Sequence, residues 1–198
     1  HLDEAVKVYT QVLEIIPELE PIHWPIFFAR GTCLERLGKW EQAEADFEQA
    51  LSLKPEQPDV LNYLGFSWLV RGERVAEARD MIEMAAKAKP NDPQIADSLG
   101  WAYYMLGDYE KAVDEVEKAL QLLPADPTVN DHLGDIYWRL DRKTEARFQW
   151  ERSLSFQPEP KIADGIRKKL KEGLPASNLA KKHTPVMAAE RLADSPVP

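Results

Sequence analysis

Side chains able to do acid–base, nucleophilic or metal chemistry occur along this chain, but nothing in their spacing gathers them. The four histidines are His1, His23, His132 and His183. None stands at metal-site spacing from another His, Cys or carboxylate. The single cysteine, Cys33, has no partner for an intrachain disulfide. It sits among apolar and small residues, the setting of a buried structural thiol, with no companion base to make it a nucleophile. No glycine-rich segment has the spacing that cradles phosphate. No Gly-x-Ser-x-Gly nucleophile turn is present. Asp and Glu number 34, yet carboxylates work as acid and base only when a pocket pairs them. The expectation is a non-enzyme that uses no metal and no cofactor.

Composition bounds the partners. The 198 residues are 44% hydrophobic and 30% charged, enough to bury a core. No run approaches the roughly 18 to 20 apolar residues of a membrane span. The net charge is −9, unevenly spread. Residues 161–198 hold eight Lys/Arg against four Asp/Glu, so the rest of the chain is strongly acidic. An acidic body repels phosphate backbones, and nucleic acid is excluded as a partner on that ground. The chain begins with His1 inside a helical pattern, as a processed or partial chain would.

Two residue types keep one ruler. Pro17, Pro55, Pro90, Pro124 and Pro158 lie 38, 35, 34 and 34 residues apart, and Ala5, Ala43, Ala78, Ala112 and Ala146 repeat the same four intervals. A period near 34 is that of a helix–turn–helix unit in a solenoid. The clearest unit spans 93–126. Asp92-Pro93 opens a helix with a cap and a first-turn proline. Gly107 ends it, and Asp108 caps the next. Ala112, Val116, Ala119 and Leu120 then form one apolar stripe. Small Gly100 and Ala112 allow the two helices to approach closely. The 38-residue interval implies an insertion near 18–23, and the 35-residue interval one extra residue near 71–75. Asp141 takes the place of a turn glycine in the last unit.

These units resemble the tetratricopeptide repeat. Its pattern is aromatic-x₂-Leu-Gly-x₂-Tyr, then Ala-x₃-Phe, then Pro. The chain has Leu61-x₂-Leu64-Gly65-x₂-Trp68 with Ala78-x₃-Ile82 and Pro90, and Asn130-x₂-Leu133-Gly134-x₂-Tyr137 with Ala146-x₃-Trp150 and Pro158. In the unit from Trp24, Arg30 stands where leucine is usual, while Gly31, Gly38, Trp40, Ala43, Phe47 and Pro55 keep register. The resemblance covers 1–160. It implies an all-α, right-handed superhelical solenoid of antiparallel helix pairs. Residues 1–17 read as the second helix of a truncated repeat, followed by repeats at 18–57, 58–92, 93–126 and 127–160. Residues 161–173 read as a capping helix, with Ile162, Ile166 and Leu170 on its apolar stripe and Lys161, Arg167, Lys168, Lys169 and Lys171 elsewhere. Residues 174–198 read as a flexible tail, in which 186–193 could form a short helix.

In the family the first helix of each pair lines the concave side, which projects a set of inward residues. Phe28, Asn62 and Phe66 come from the earlier repeats. Asp97, Trp101 and Tyr104 follow, and then Asp131, Asp135 and Trp138. Aromatics would anchor a ligand, Asn62 would hydrogen-bond a peptide backbone, and the acids would favour basic segments. The same aromatics would equally serve packing between units. Some co-chaperones of the family clamp a terminal carboxylate with Lys, Arg and Asn here. Phe28, Thr32, Asp97 and Trp101 occupy those positions in this chain, so that clamp is absent.

The resemblance therefore implies an adaptor or scaffold that binds a protein or peptide, in particular a basic one. Self-assembly through 1–17 or the tail, and tethering of a separate enzyme, are the alternatives. The runs at 130–138 and 145–150 are similar to repeat proteins of Gram-negative bacteria, some of them exported. This implies a bacterial source and a periplasmic or cell-envelope setting, with the cytoplasm as the other option.

Overall fold

A computed structural model describes residues 1–176. The readings at His183, at 186–193 and over the rest of 177–198 lie outside the described residues. Ten α-helices follow one another: α1 (Leu2–Ile15), α2 (Trp24–Arg36), α3 (Trp40–Leu53), α4 (Pro58–Arg71), α5 (Val75–Ala88), α6 (Pro93–Leu106), α7 (Tyr109–Leu122), α8 (Pro127–Arg139), α9 (Lys143–Ser155) and α10 (Pro160–Glu172). The array is an all-α superhelix of antiparallel pairs, α2/α3, α4/α5, α6/α7 and α8/α9.

Local chemistry sets the helix ends. Proline stands in the first turn of α4, α6, α8 and α10, where its missing N–H would have no partner anyway. Asp92 accepts from the amides of Gln94 and Ile95, and Asp126 from those of Thr128 and Val129. Gly72 and Gly107 close α4 and α6 in the left-handed region. Asp141 does the same work after α8 at φ 62, a conformation its short polar side chain tolerates.

The pairs interlock at one recurring place. Gly31, Gly65, Gly100 and Gly134 leave a notch in each first helix, and Phe47, Ile82, Val116 and Trp150 of the second helix fill it. Each plug lies four residues after the periodic alanine, and all four are fully buried. Neighbouring pairs are then clasped by a second device. The Tyr103 hydroxyl donates to Glu83 at 2.8 Å, and the Tyr137 hydroxyl to Glu117 at 2.7 Å. Trp68 Nε1 donates to Glu44 at 2.6 Å, one turn nearer the start of the second helix than the tyrosines reach. Burial, then the adjacent carboxylate, pushes the Tyr103 and Tyr137 phenols up to about 12. They therefore stay protonated as donors.

Arg30, at a leucine position, forks its guanidinium onto buried Asp46, with Nε to Oδ2 at 2.7 Å and Nη2 to Oδ1 at 2.6 Å. Two sequence expectations are corrected. Cys33 is half-buried and is not sealed in the core. On α10, Ile162 faces outward while Ala163 and Ile166 are buried, and Lys169 turns inward. Helix α1 contributes Val6 and Leu13 to the core but has no fully buried residue, and Val8 and Ile15 are 56% and 78% exposed.

The notch makes a sharp prediction. A Cβ at Gly100 would strike the Val116 side chain and stand 3.0 Å from the Ala112 carbonyl oxygen. Gly100→Ala should cost about 1–3 kcal/mol in urea unfolding. Gly165→Ala meets nothing within 4 Å and should stabilise by roughly 0.5–1 kcal/mol.

Candidate functional site

The first helices of successive pairs stand side by side along the inner face of the array. A cleft of about 550 Å³ opens there, lined by α2, α4, α6 and the start of α8. Trp40, Tyr63, Phe66 and Val70 give it apolar walls. Glu35, Asp97 and Asp126 bring carboxylates, and Arg71 is the cation of the lining. Arg71 lies over the Trp40 ring at 4.6 Å. The Tyr63 hydroxyl donates to Glu35 at 3.3 Å. Burial first, then Glu35, pushes that phenol up to about 12. Asn62 lies in the same wall. Its Oδ1 is buried and has no hydrogen-bond partner.

The nine residues projected onto the inner face separate into three groups. Asn62, Phe66 and Asp97 line the cleft. Phe28 is packed in an aromatic cluster, 5.6 Å from Tyr63 edge-on and 6.0 Å from Phe47. The remaining five belong to a closed network at the α6–α8–α10 end.

In that network the acids have partners within the chain. His132 Nδ1 donates to both oxygens of Asp97 at 3.0 Å. Next to a carboxylate acceptor, Nδ1 must carry the proton. Trp101 stacks on the His132 ring at 4.1 Å and on Tyr104 at 4.6 Å. Burial pulls the His132 pKa down, but the Asp97 charge and hydrogen bond outweigh it, and the imidazole ends above its ordinary value. Lys169 Nζ donates to Asp131 Oδ1 and Oδ2 at 2.9 Å and to Asp135 Oδ2 at 2.8 Å. Asp135 also accepts from Trp150 Nε1 at 2.9 Å. Burial pushes the Asp135 carboxyl up, Lys169 pulls it back, and Asp131 adds to the rise. Trp138 packs against Trp150 at 5.3 Å and lies across Gly173.

Asp97, Asp131 and Asp135 are therefore paired within the chain and do not wait in an open groove. Trp101, Tyr104 and Trp138 pack between units. Sequence reasoning did not single out His132 and Lys169 as partners of these acids. The period itself held the signal: His132 lies 35 residues after Asp97, and Lys169 lies 34 after Asp135, so each falls beside its partner on the neighbouring first helix. Among the described residues no three His, Cys, Asp or Glu side chains converge to hold a metal ion. No described helix is long and apolar enough to cross a membrane.

Stacked helix pairs, glycine notches and an inner cleft define a helical-repeat interaction scaffold. Two family models described as tetratricopeptide repeat match residues 28–93 and 93–126. The chain belongs to the tetratricopeptide repeat family. No curated protein matches it at the sequence level. Solved structures share the fold. The MamA RS-1 ArsTM double mutant is 22% identical over 79% of this chain and 85% of its own, with a TM-score of 0.65. The tetratricopeptide protein TTC0263 of Thermus thermophilus is 18% identical over 87% and 90%, with a TM-score of 0.65. A chain of the Cut9–Hcn1 hetero-tetramer of APC/C is 21% identical over 87% of this chain and 33% of its own, with a TM-score of 0.72.

The Asp97–His132 pair makes a pH prediction. Because the folded His132 pKa is raised, its charge contribution is fully present below the unfolded value of about 6.5 and is lost as pH rises through the folded value. Wild type should exceed Asp97→Asn in stability most at about pH 5.5–6, and the gap should shrink as pH rises through the folded His132 pKa, read by urea unfolding at each pH.

Proposed function

We propose that the chain is a protein-binding adaptor, and that the cleft between α2, α4 and α6 holds an extended segment of its partner. The observation that carries this is Asn62. Its Oδ1 is buried without a partner. An unmet buried acceptor costs about 1–3 kcal/mol, and a donor from a ligand gives that back. No other hydrogen bond in the described structure holds the amide, so it is free to turn about χ2 towards an occupant.

The occupant follows from the walls. Tyr63, Phe66 and Val70 suit one apolar side chain. With Asp97 paired to His132, Glu35 and Asp126 still outnumber Arg71, so flanking basic residues on the segment are favoured. The segment supplies a backbone N–H to Asn62. The setting proposed is the cell envelope of a Gram-negative bacterium, supported by the resemblance of the runs at 130–138 and 145–150.

Peptides selected on the wild-type chain from a random library test this. Phe66→Ala and Asn62→Ala should each weaken them by about 1–3 kcal/mol, or roughly 5- to 150-fold. Trp138→Ala, remote from the cleft, should change their affinity less than twofold. Selected peptides indifferent to both cleft substitutions would remove the reading.

A second reading, self-assembly, is favoured by the outer side of α1, where exposed Val8 and Ile15 are followed by exposed Leu19 and Ile22. Sedimentation over a hundredfold concentration range should show association that Val8→Lys/Ile15→Lys abolishes. A monomer at every concentration dismisses it.

A further inference from the structure

Helix α10 sits differently from every other first helix. It has no notch-and-plug contact: a Cβ at Gly165 would meet nothing within 4 Å. Its buried residues within the helix are Ala163 and Ile166. Leu170 and the following Leu174 pack half-buried against the same core, and the remaining ties are polar. Lys169 reaches Asp131 and Asp135, Arg147 Nη1 donates to the Leu170 carbonyl at 2.7 Å, and Arg139 Nη1 donates to the Pro175 carbonyl.

The surface beneath it is organised without its help. Trp150 Nε1 fixes Asp135 from within the α8/α9 pair. The Lys143 ammonium lies over the Trp138 ring at 4.1 Å and donates to the Trp138 carbonyl, and Trp150 backs the same ring. The receptor face is thus built by α8 and α9, and α10 rests on it.

We propose that the inner face of α8 beneath α10 is a binding site for a lysine-bearing amphipathic helix of a partner protein, and that α10 occupies it in the free chain as an internal competitor. The chemistry names the occupant. Two carboxylates one turn apart need a single compact cation with several donors. An ammonium meets that need, as Lys169 does with three contacts of 2.8–2.9 Å. A planar guanidinium forks onto one carboxylate and leaves the other short. Beside the lysine the site takes a small residue and a branched apolar one, as Ala163 and Ile166 show, and Trp138 lies where only a glycine-sized residue can pass. The exposed side of α10 carries Lys161, Arg167 and Lys168, which contribute nothing to the seat. The site is separate from the α4–α6 cleft and stands whether or not the cleft binds peptide.

The test uses the full chain and a fluorescent synthetic peptide of residues 159–176. In wild type the internal helix competes and the peptide binds weakly. Lys169→Glu sets a carboxylate against Asp131 and Asp135, so α10 should lift. Its amides should then exchange hydrogen at least tenfold faster than in wild type, and the peptide should bind at least tenfold tighter. Adding Asp131→Asn/Asp135→Asn should abolish that gain, and a peptide carrying Lys169→Arg should bind more weakly than one with lysine. Asn62→Ala should leave peptide binding unchanged, which separates this site from the cleft. A folded Lys169→Glu chain that takes no peptide, or whose α10 amides exchange at the wild-type rate, overturns the proposal. Should circular dichroism show that the reversed charge unfolds the last pair, Lys169→Met, which keeps the packing of the stem, makes the same comparison with the same two outcomes.

Discussion

The structure depends on helices coming closer than side chains normally allow. A glycine in each first helix removes the obstacle, and one large residue of the second helix occupies the space. The residue differs in every pair: Phe47, Ile82, Val116 and Trp150. The choice has consequences beyond packing density. Trp150 is the one plug with a polar atom, and a buried indole N–H needs an acceptor. Asp135 is that acceptor. A buried carboxylate next to Asp131 then needs a cation, and Lys169 is that cation. Filling one notch with tryptophan thus leads, step by step, to the seating of α10.

The same logic separates the two halves of the inner face. At the α6–α8–α10 end each first helix is tied to the next through paired charges and stacked rings: Asp97 to His132, Trp101 between His132 and Tyr104, Arg139 Nε to the Tyr104 hydroxyl at 3.2 Å, and Lys169 to both aspartates. Between α4 and α6 the cleft opens, and Asn62 is left without a partner for its carbonyl oxygen. The buried amide oxygens of Asn130 and Gln149, at the braced end, also lack partners, so what distinguishes Asn62 is the open cleft beside it.

The array was legible in the sequence because its signals are local and periodic. Proline at a helix start, glycine at a notch and alanine four residues before a plug each act through backbone geometry that repeats about every 34 or 35 residues. The site was less legible because it depends on side chains from neighbouring units. Lys169 lies beside the apolar stripe of α10, three residues after Ile166, but only the aspartates of α8 show why a lysine there turns under. Arg30 reads as a break in the pattern until Asp46 is seen opposite it. Asp97 reads as an open acid until His132 is aligned with it. In each case the missing information was the identity of a residue on a neighbouring helix.

The uneven tying of the first helices also has a mechanical meaning. A solenoid flexes where its rungs are weakest. Here polar ties stiffen the α6–α8–α10 end, while α6 shares one hydrophobic core with α4 and α5, so bending of the inner face is felt at the mouth of the cleft between them. Straightening the superhelix would widen that opening, and coiling it would narrow it. A load applied along the chain axis, or a ligand that draws α4 towards α6, would thus change the same coordinate.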